Sequence, residues 1–112
     1  MTALLRVVPI FAVEDVGASL EFYASLGFRV RTWSGGGYGF ATRDGIELHV
    51  GEGARGRGAG SAYVHVEDAT ALSIEWRAAG ATVHGPEDTP WGMHEAVLVD
   101  PDGNVIRFGN PL

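Results

Sequence analysis

The chain repeats itself. Residues 13–30 read VEDVGASLEFYASLGFRV, and residues 66–83 read VEDATALSIEWRAAGATV. Each copy opens on Val-Glu-Asp, carries an aromatic in its middle (Tyr23, Trp76) and reaches a glycine (Gly27, Gly80). Each then runs into a segment ending in valine. Self-similarity of this kind makes each copy one supersecondary unit that buries its apolar face against its neighbour. Whatever the first half builds, the second half must build as well.

The local chemistry says what is built. Asp15 and Asp68 are N-cap residues, able to accept a hydrogen bond from an unpaired first-turn N–H. Val16, Leu20, Tyr23 and Leu26 follow Asp15 at helical spacing, and Leu72, Trp76 and Ala79 follow Asp68. Gly27 and Gly80 supply left-handed C-terminal caps. The spacing predicts helices over 15–26 and from 68 to 80.

Strands flank both helices. Leu4–Val13 is apolar and β-branched and reads as a buried strand. Residues 28–34 alternate, with Phe28, Val30 and Thr32 opposite Arg29, Arg31 and Trp33. Gly35-Gly36-Gly37 is a hairpin turn, 38–42 the next strand, and Asp44-Gly45 another turn. Ile46, Leu48 and Val50 alternate with Glu47 and His49. The second half follows suit: strands over 61–66 and 81–84, a loop over 85–92, and strands over 93–99 and 104–109. The Pro101-Asp102-Gly103 turn separates the last two. The order is β-α-β-β-β, twice.

Between the copies lies GEGARGRGAG, residues 51–60, which keeps no periodicity and reads as a flexible connection. Its glycines do not make a phosphate loop, because a strand follows them where such a loop needs a helix. The expected organisation is one domain over 1–112: a first module over about 1–51, a linker over about 52–60, and a second module over about 61–112.

Composition narrows the function classes. At 112 residues the chain is one domain's worth. Fourteen acids against eight bases give a net charge of -6, which disfavours nucleic acid and anionic membranes and attracts cations. The absence of cysteine excludes disulfides, thiolate catalysis and Cys-ligated zinc. No apolar run approaches the ~20 residues of a membrane helix. The N-terminus lacks the basic start and long apolar stretch of a signal peptide, so the expected location is the cytoplasm.

Three segments carry a family resemblance: VEDVGASLEFYASLGF after the first strand, IELHV on the fourth, and VLVDPDGNVIRFGNPL at the end. With the repeat, they resemble the vicinal oxygen chelate superfamily of glyoxalases, extradiol dioxygenases, fosfomycin resistance enzymes and bleomycin resistance proteins. The resemblance implies an α+β fold in which each βαβββ module curls into a half-barrel and modules enclose a cleft. It implies a homodimer, often with exchanged first strands. Within the superfamily, VVPIFAVEDV, SAYVHVED and PWGMHEAVLVDPDGNVIRF look most like the bleomycin resistance group, which sequesters a drug without altering it.

The resemblance also places the metal ligands that the superfamily's enzymes use. They fall on Val8, Glu47, Ser61 and Arg107. Only Glu47 is a good ligand: valine has no donor atom, a neutral serine is weak, and arginine adds a positive charge. The expectation is no metal at this site, no cofactor and no catalytic set. Arg107 could instead replace the ion's charge and pair with Glu47, within a chain or across a dimer. A compensating metal site of His49, His65 and Glu47 lacks supporting spacing.

Period-two alternation groups Ser61, Tyr63 and His65 on one strand face, and Glu47 with His49 on another. Trp33, Tyr38, Phe40, Tyr63 and Trp91 are candidate flat walls, with Phe11, Phe28 and Phe40 weighed as core. The expected ligand-binding set is Trp33, Tyr38, Glu47, His49, Ser61, Tyr63, His65, Trp91 and Arg107. Aromatic faces stack planar heterocycles and attract cations. The leading reading is sequestration of a flat, partly cationic aromatic antibiotic or metabolite by a homodimer. The alternatives are a lyase, isomerase or dioxygenase of the same superfamily, and a small-molecule-sensing module.

Overall fold

The computed structural model describes residues 1–53 and 58–112. In chain order the elements are β1 (Ile10–Val13), α1 (Val16–Ser25), β2 (Arg29–Thr32), β3 (Tyr38–Arg43), β4 (Ile46–Glu52), β5 (Ser61–His65), α2 (Ala69–Ala78), β6 (Thr82–Asp88), β7 (Met93–Val99) and β8 (Val105–Pro111). The β-α-β-β-β order occurs twice, as the repeat requires. Each module makes one four-stranded sheet, in the orders β1-β4-β3-β2 and β5-β8-β7-β6. The two sheets therefore have the same topology, with the first strand of each module parallel to its fourth.

Both helices begin as their caps dictate. Asp15 accepts from the Ala18 N–H at 2.9 Å, and Asp68 from the Ala71 N–H at 3.0 Å. Gly27 and Gly80 follow the helix ends with φ of +91° and +90°. That is left-handed backbone, which a side chain strains.

One continuous core joins the modules. Phe11, Val13, Leu20, Tyr23, Leu26, Phe28, Leu48 and Val50 come from the first, and Trp76, Ala96, Leu98, Ile106 and Phe108 from the second. The helices pack between the sheets, and the other face of each sheet turns outward. Polar groups lock the junction. Tyr23 donates to Asp100 at 2.9 Å, and the Trp76 indole donates to the Leu26 carbonyl at 3.1 Å. Asn104 donates to the Ala12 carbonyl and accepts from the Gly60 N–H, both at 3.0 Å.

Beyond shifts of one or two residues, as at β2 and β8, three boundaries differ from expectation. The strand read over Leu4–Val13 begins only at Ile10, and Leu4, Leu5 and Val7 stand almost wholly in solvent. Their apolarity is real, but among the described residues they pair with no strand, although the Ile46–Leu48 edge of β4 lies open ahead of β1. The loop expected over 85–92 is shorter, because β6 continues to Asp88 through a register shift between His84 and Glu87. The bulge absorbs Gly85-Pro86, which had read as a strand breaker. The connection expected over 51–60 is shorter too. Gly51 and Glu52 pair with β1, and Gly60 is bonded to both Asn104 and Val105. Residues 54–57 of that connection lie outside the described residues.

Candidate functional site

Strand alternation decides which side chains face outward. On β4, Leu48 and Val50 enter the core, so Glu47 and His49 face away from it. Their cross-strand neighbours on β3 are Thr42 and Phe40, and beyond them on β2 come Arg29 and Arg31. Together with Arg6 from the N-terminal arm, these side chains line a hollow of about 330 Å³. Phe40 thus belongs to the outward face and not to the core, whereas Phe11 and Phe28 are buried. The Arg31 guanidinium lies 4.0 Å from the centre of the Phe40 ring, a cation–π contact.

A hydrogen-bonded chain crosses this face. The Tyr38 phenol meets His49 Nδ1 at 2.8 Å, and His49 Nε2 meets Glu47 Oε2 at 2.9 Å. A carboxylate can only accept, so Nε2 carries the proton. With Nε2 as the donor, Nδ1 accepts the hydrogen bond from the Tyr38 hydroxyl. Arg6 adds a 3.0 Å ion pair to the same Glu47 oxygen. His49 first and Arg6 second hold the Glu47 carboxyl below the usual carboxylate range. Arg107 is not among the partners of Glu47 within the chain.

The second module repeats the geometry with other residues. On β5, Ala62 and Val64 pack inward, and Ser61, Tyr63 and His65 face out. The β8 neighbours of Ser61, Tyr63 and His65 are Val105, Arg107 and Gly109. The rings of Tyr63 and His65 are 5.0 Å apart. Glu95 on β7, a residue absent from the expected set, lies beside Gly109. Its signal was available: in Met93–Val99 it shares a face with Val97, opposite the core-facing Ala96 and Leu98.

The nine expected residues therefore fall into groups. Tyr38, Glu47 and His49 share the outward face of the first sheet. Ser61, Tyr63, His65 and Arg107 share that of the second. Trp33 lies just beyond β2, 52% exposed, with its ring against Gly35. Trp91 sits in the β6–β7 turn, 69% exposed. His94 is engaged elsewhere, bridging Asp88 on β6 at 2.7 Å and Thr70 on α2 at 2.8 Å.

The residues do not fit a superfamily-type metal centre. The Glu47 carboxylate is already engaged by Arg6 and His49, and Val8, Ser61 and Arg107 offer no donor, a weak neutral one and a positive charge. No group of three or more His, Cys, Asp or Glu able to hold a metal occurs among the described residues. No described helix is long and apolar enough to cross a membrane.

Two βαβββ modules, each with an outward sheet face carrying polar and aromatic groups, define a class. The chain belongs to the Glyoxalase/Bleomycin resistance protein/Dioxygenase superfamily, whose profile matches residues 4–108. It is similar to the bleomycin-binding protein of bleomycin-producing Streptomyces verticillus, solved with copper(II)-bleomycin. The two are 27% identical over 100% of both chains, with a TM-score of 0.83. A glyoxalase/bleomycin resistance protein from Catenulispora acidiphila is 26% identical over 97% of this chain and 100% of that one, with a TM-score of 0.79. A bleomycin resistance determinant encoded on the transposon Tn5 shares the fold at 22% identity, with a TM-score of 0.84 over 96% of this chain and 98% of that one. No curated protein matches the chain in sequence.

Proposed function

We propose that the protein sequesters a flat, partly cationic aromatic antibiotic of the bleomycin kind without chemical turnover, as a homodimer. The observation that carries this reading is the division of the candidate residues between two outward sheet faces. Each face is half a cleft, and aromatic and hydrogen-bonding side chains dominate both. The 27% identity to a bleomycin-binding protein over both whole chains supports it. Local charge refines it. The first face carries Arg6, Arg29 and Arg31, so a cationic group on the ligand is better received by the second.

A second copy is the proposed source of the missing half. A groove of about 460 Å³ opens at the module junction, lined by Phe28, Leu48, Val64, Leu72, Trp76 and Ile106. The repeat equates Val64 with Phe11, and Val7 with Gly60. At the other end of the junction Gly60 lies against the Phe11 ring. By that equivalence a Val7 belongs beside Val64, yet the chain's own Val7 is exposed. The arm of a second copy, carrying Leu4, Leu5 and Val7, supplies the matching apolar surface, and exchange of the segment ahead of β1 follows. The single-domain organisation into modules over about 1–51 and 61–112 is part of this proposal.

The test is a titration of the purified protein with bleomycin, followed by tryptophan quenching and by mass spectrometry of the recovered drug. Saturable quenching with intact drug supports sequestration. No binding at high micromolar concentration, or a modified drug, overturns it.

A proton-transfer enzyme is the second reading, favoured by one observation. Tyr38, His49 and Glu47 form a phenol–imidazole–carboxylate chain, which is competent acid–base machinery. Turnover that disappears in His49→Gln would establish it.

A further inference from the structure

Glu95 is an acid buried on the outward face of the second sheet. It is 5% exposed, and its Oε2 has no hydrogen-bond partner among the described residues. Buried polar groups are normally paired, and an unpaired one weakens the fold. A polar group kept at such a cost is a candidate for work outside the fold.

What covers this carboxyl is Tyr63. Gly109 is the register neighbour of His65 on one side and of Glu95 on the other. A Cβ on Gly109 would collide with the Tyr63 hydroxyl and come within 2.8 Å of the Glu95 Cβ. The missing side chain lets the phenol lie across β8 and reach the acid. Partial burial, and then the Glu95 carboxyl, push the Tyr63 phenol's pKa upward. The ring is not a core residue, because its outer side stays in solvent. It can swing off Gly109 without opening the core.

We propose that Glu95, uncovered when the Tyr63 ring swings off Gly109, accepts a protonated amidine or amine group of the ligand while the phenol stacks on the ligand's aromatic body. A carboxylate offers only acceptors, and the planar amidinium fork matches its two oxygens. The proposal rests on the reading of this sheet face as half of a ligand cleft.

Benzamidine and its neutral counterpart benzamide are the probes. The full chain is titrated with each, following the Gly109 amide by NMR. Wild-type protein binds benzamidine at least about tenfold more tightly than benzamide. Glu95→Gln brings the two to within about twofold and melts no lower than wild type, since the amide keeps an acceptor for the Tyr63 hydroxyl and Oε2 has no partner to lose. Tyr63→Phe, which keeps the ring, keeps the preference. Equal binding of the probes to wild type overturns the proposal, and so does an undiminished preference in Glu95→Gln. A lower melting temperature in Glu95→Gln assigns the acid a structural role and also overturns it. Bleomycin is titrated in parallel. Bleomycin binding without an amidine preference rejects the role of Glu95 alone, and an amidine preference without bleomycin binding rejects the drug reading alone.

Discussion

The Tyr23 hydroxyl donates a 2.9 Å hydrogen bond to Asp100, joining the first helix to the last turn of the second module. Both residues are buried. Burial first, and then the Asp100 charge, push the Tyr23 phenol far above its ordinary pKa. Removing the hydroxyl in Tyr23→Phe leaves Asp100 one donor short. The expected loss is ~1–3 kcal/mol of unfolding free energy in urea.

The same pair fixes a pH dependence. An unfolded tyrosine loses its proton near pH ~10, while folded Tyr23 keeps it. Above that pH the unfolded chain binds fewer protons, so stability falls as pH rises. The contribution is fully present below the unfolded pKa. Thermal melts in the alkaline range should show a steep decline in wild type and a shallower one in Tyr23→Phe.

Glu47 behaves in the opposite sense. Its folded pKa is depressed, so its small contribution is present above the ordinary carboxylate range and lost as pH falls through the lowered value. A carbon-detected NMR titration should find the Glu47 midpoint below that of an unstructured glutamate. His49→Gln should raise it more than Arg6→Gln does, following the order of the two causes.

On the binding side, Phe40→Ala and Tyr63→Ala should each weaken bleomycin binding by ~1–3 kcal/mol if the rings contact the drug. Ile74, exposed on the second helix, is the control, and Ile74→Ala should change nothing. Trp76 is buried in the core, so ligand quenching must come from Trp33 or Trp91. Changing each to Phe should identify which one reports.

Deleting residues 2–8 tests the exchanged arm. It removes Leu4, Leu5, Val7 and the Arg6–Glu47 ion pair while sparing β1. If the proposed exchange holds, sedimentation should show a dimer for the full chain and a monomer for the truncated one. A dimer that survives the deletion rejects arm exchange.

The helices were legible to within two residues, because Asp15, Asp68, Gly27 and Gly80 are local signals with local causes. The outward faces were legible wherever alternation was strict, as for Glu47–His49 and Ser61–Tyr63–His65. The ends of strands were not. Leu4 to Val8 has strand chemistry but pairs with no strand among the described residues, and pairing is a property of the whole sheet. Pro86 has loop chemistry but sits at a bulge, which depends on the register with β7. Phe40 looked like core because it is aromatic, and its place was decided by parity with Ala41. Alternation puts Glu95 on the outward face of β7, but its burial depends on a tyrosine from another strand and leaves no local trace.

The two ends of the module junction have drifted apart in chemistry. At one, Asn104 and Tyr23 meet Asp100 and the Ala12 carbonyl through buried hydrogen bonds. At the other, Arg43 donates to the Leu26 carbonyl and pairs with the exposed Glu75, both at 2.7 Å. Dissolved ions screen an exposed pair and leave a buried amide bond untouched. Rising ionic strength should therefore weaken the Arg43–Glu75 pair alone, while the buried Trp76 bond to the same Leu26 carbonyl keeps that end of the seam between the duplicated halves closed.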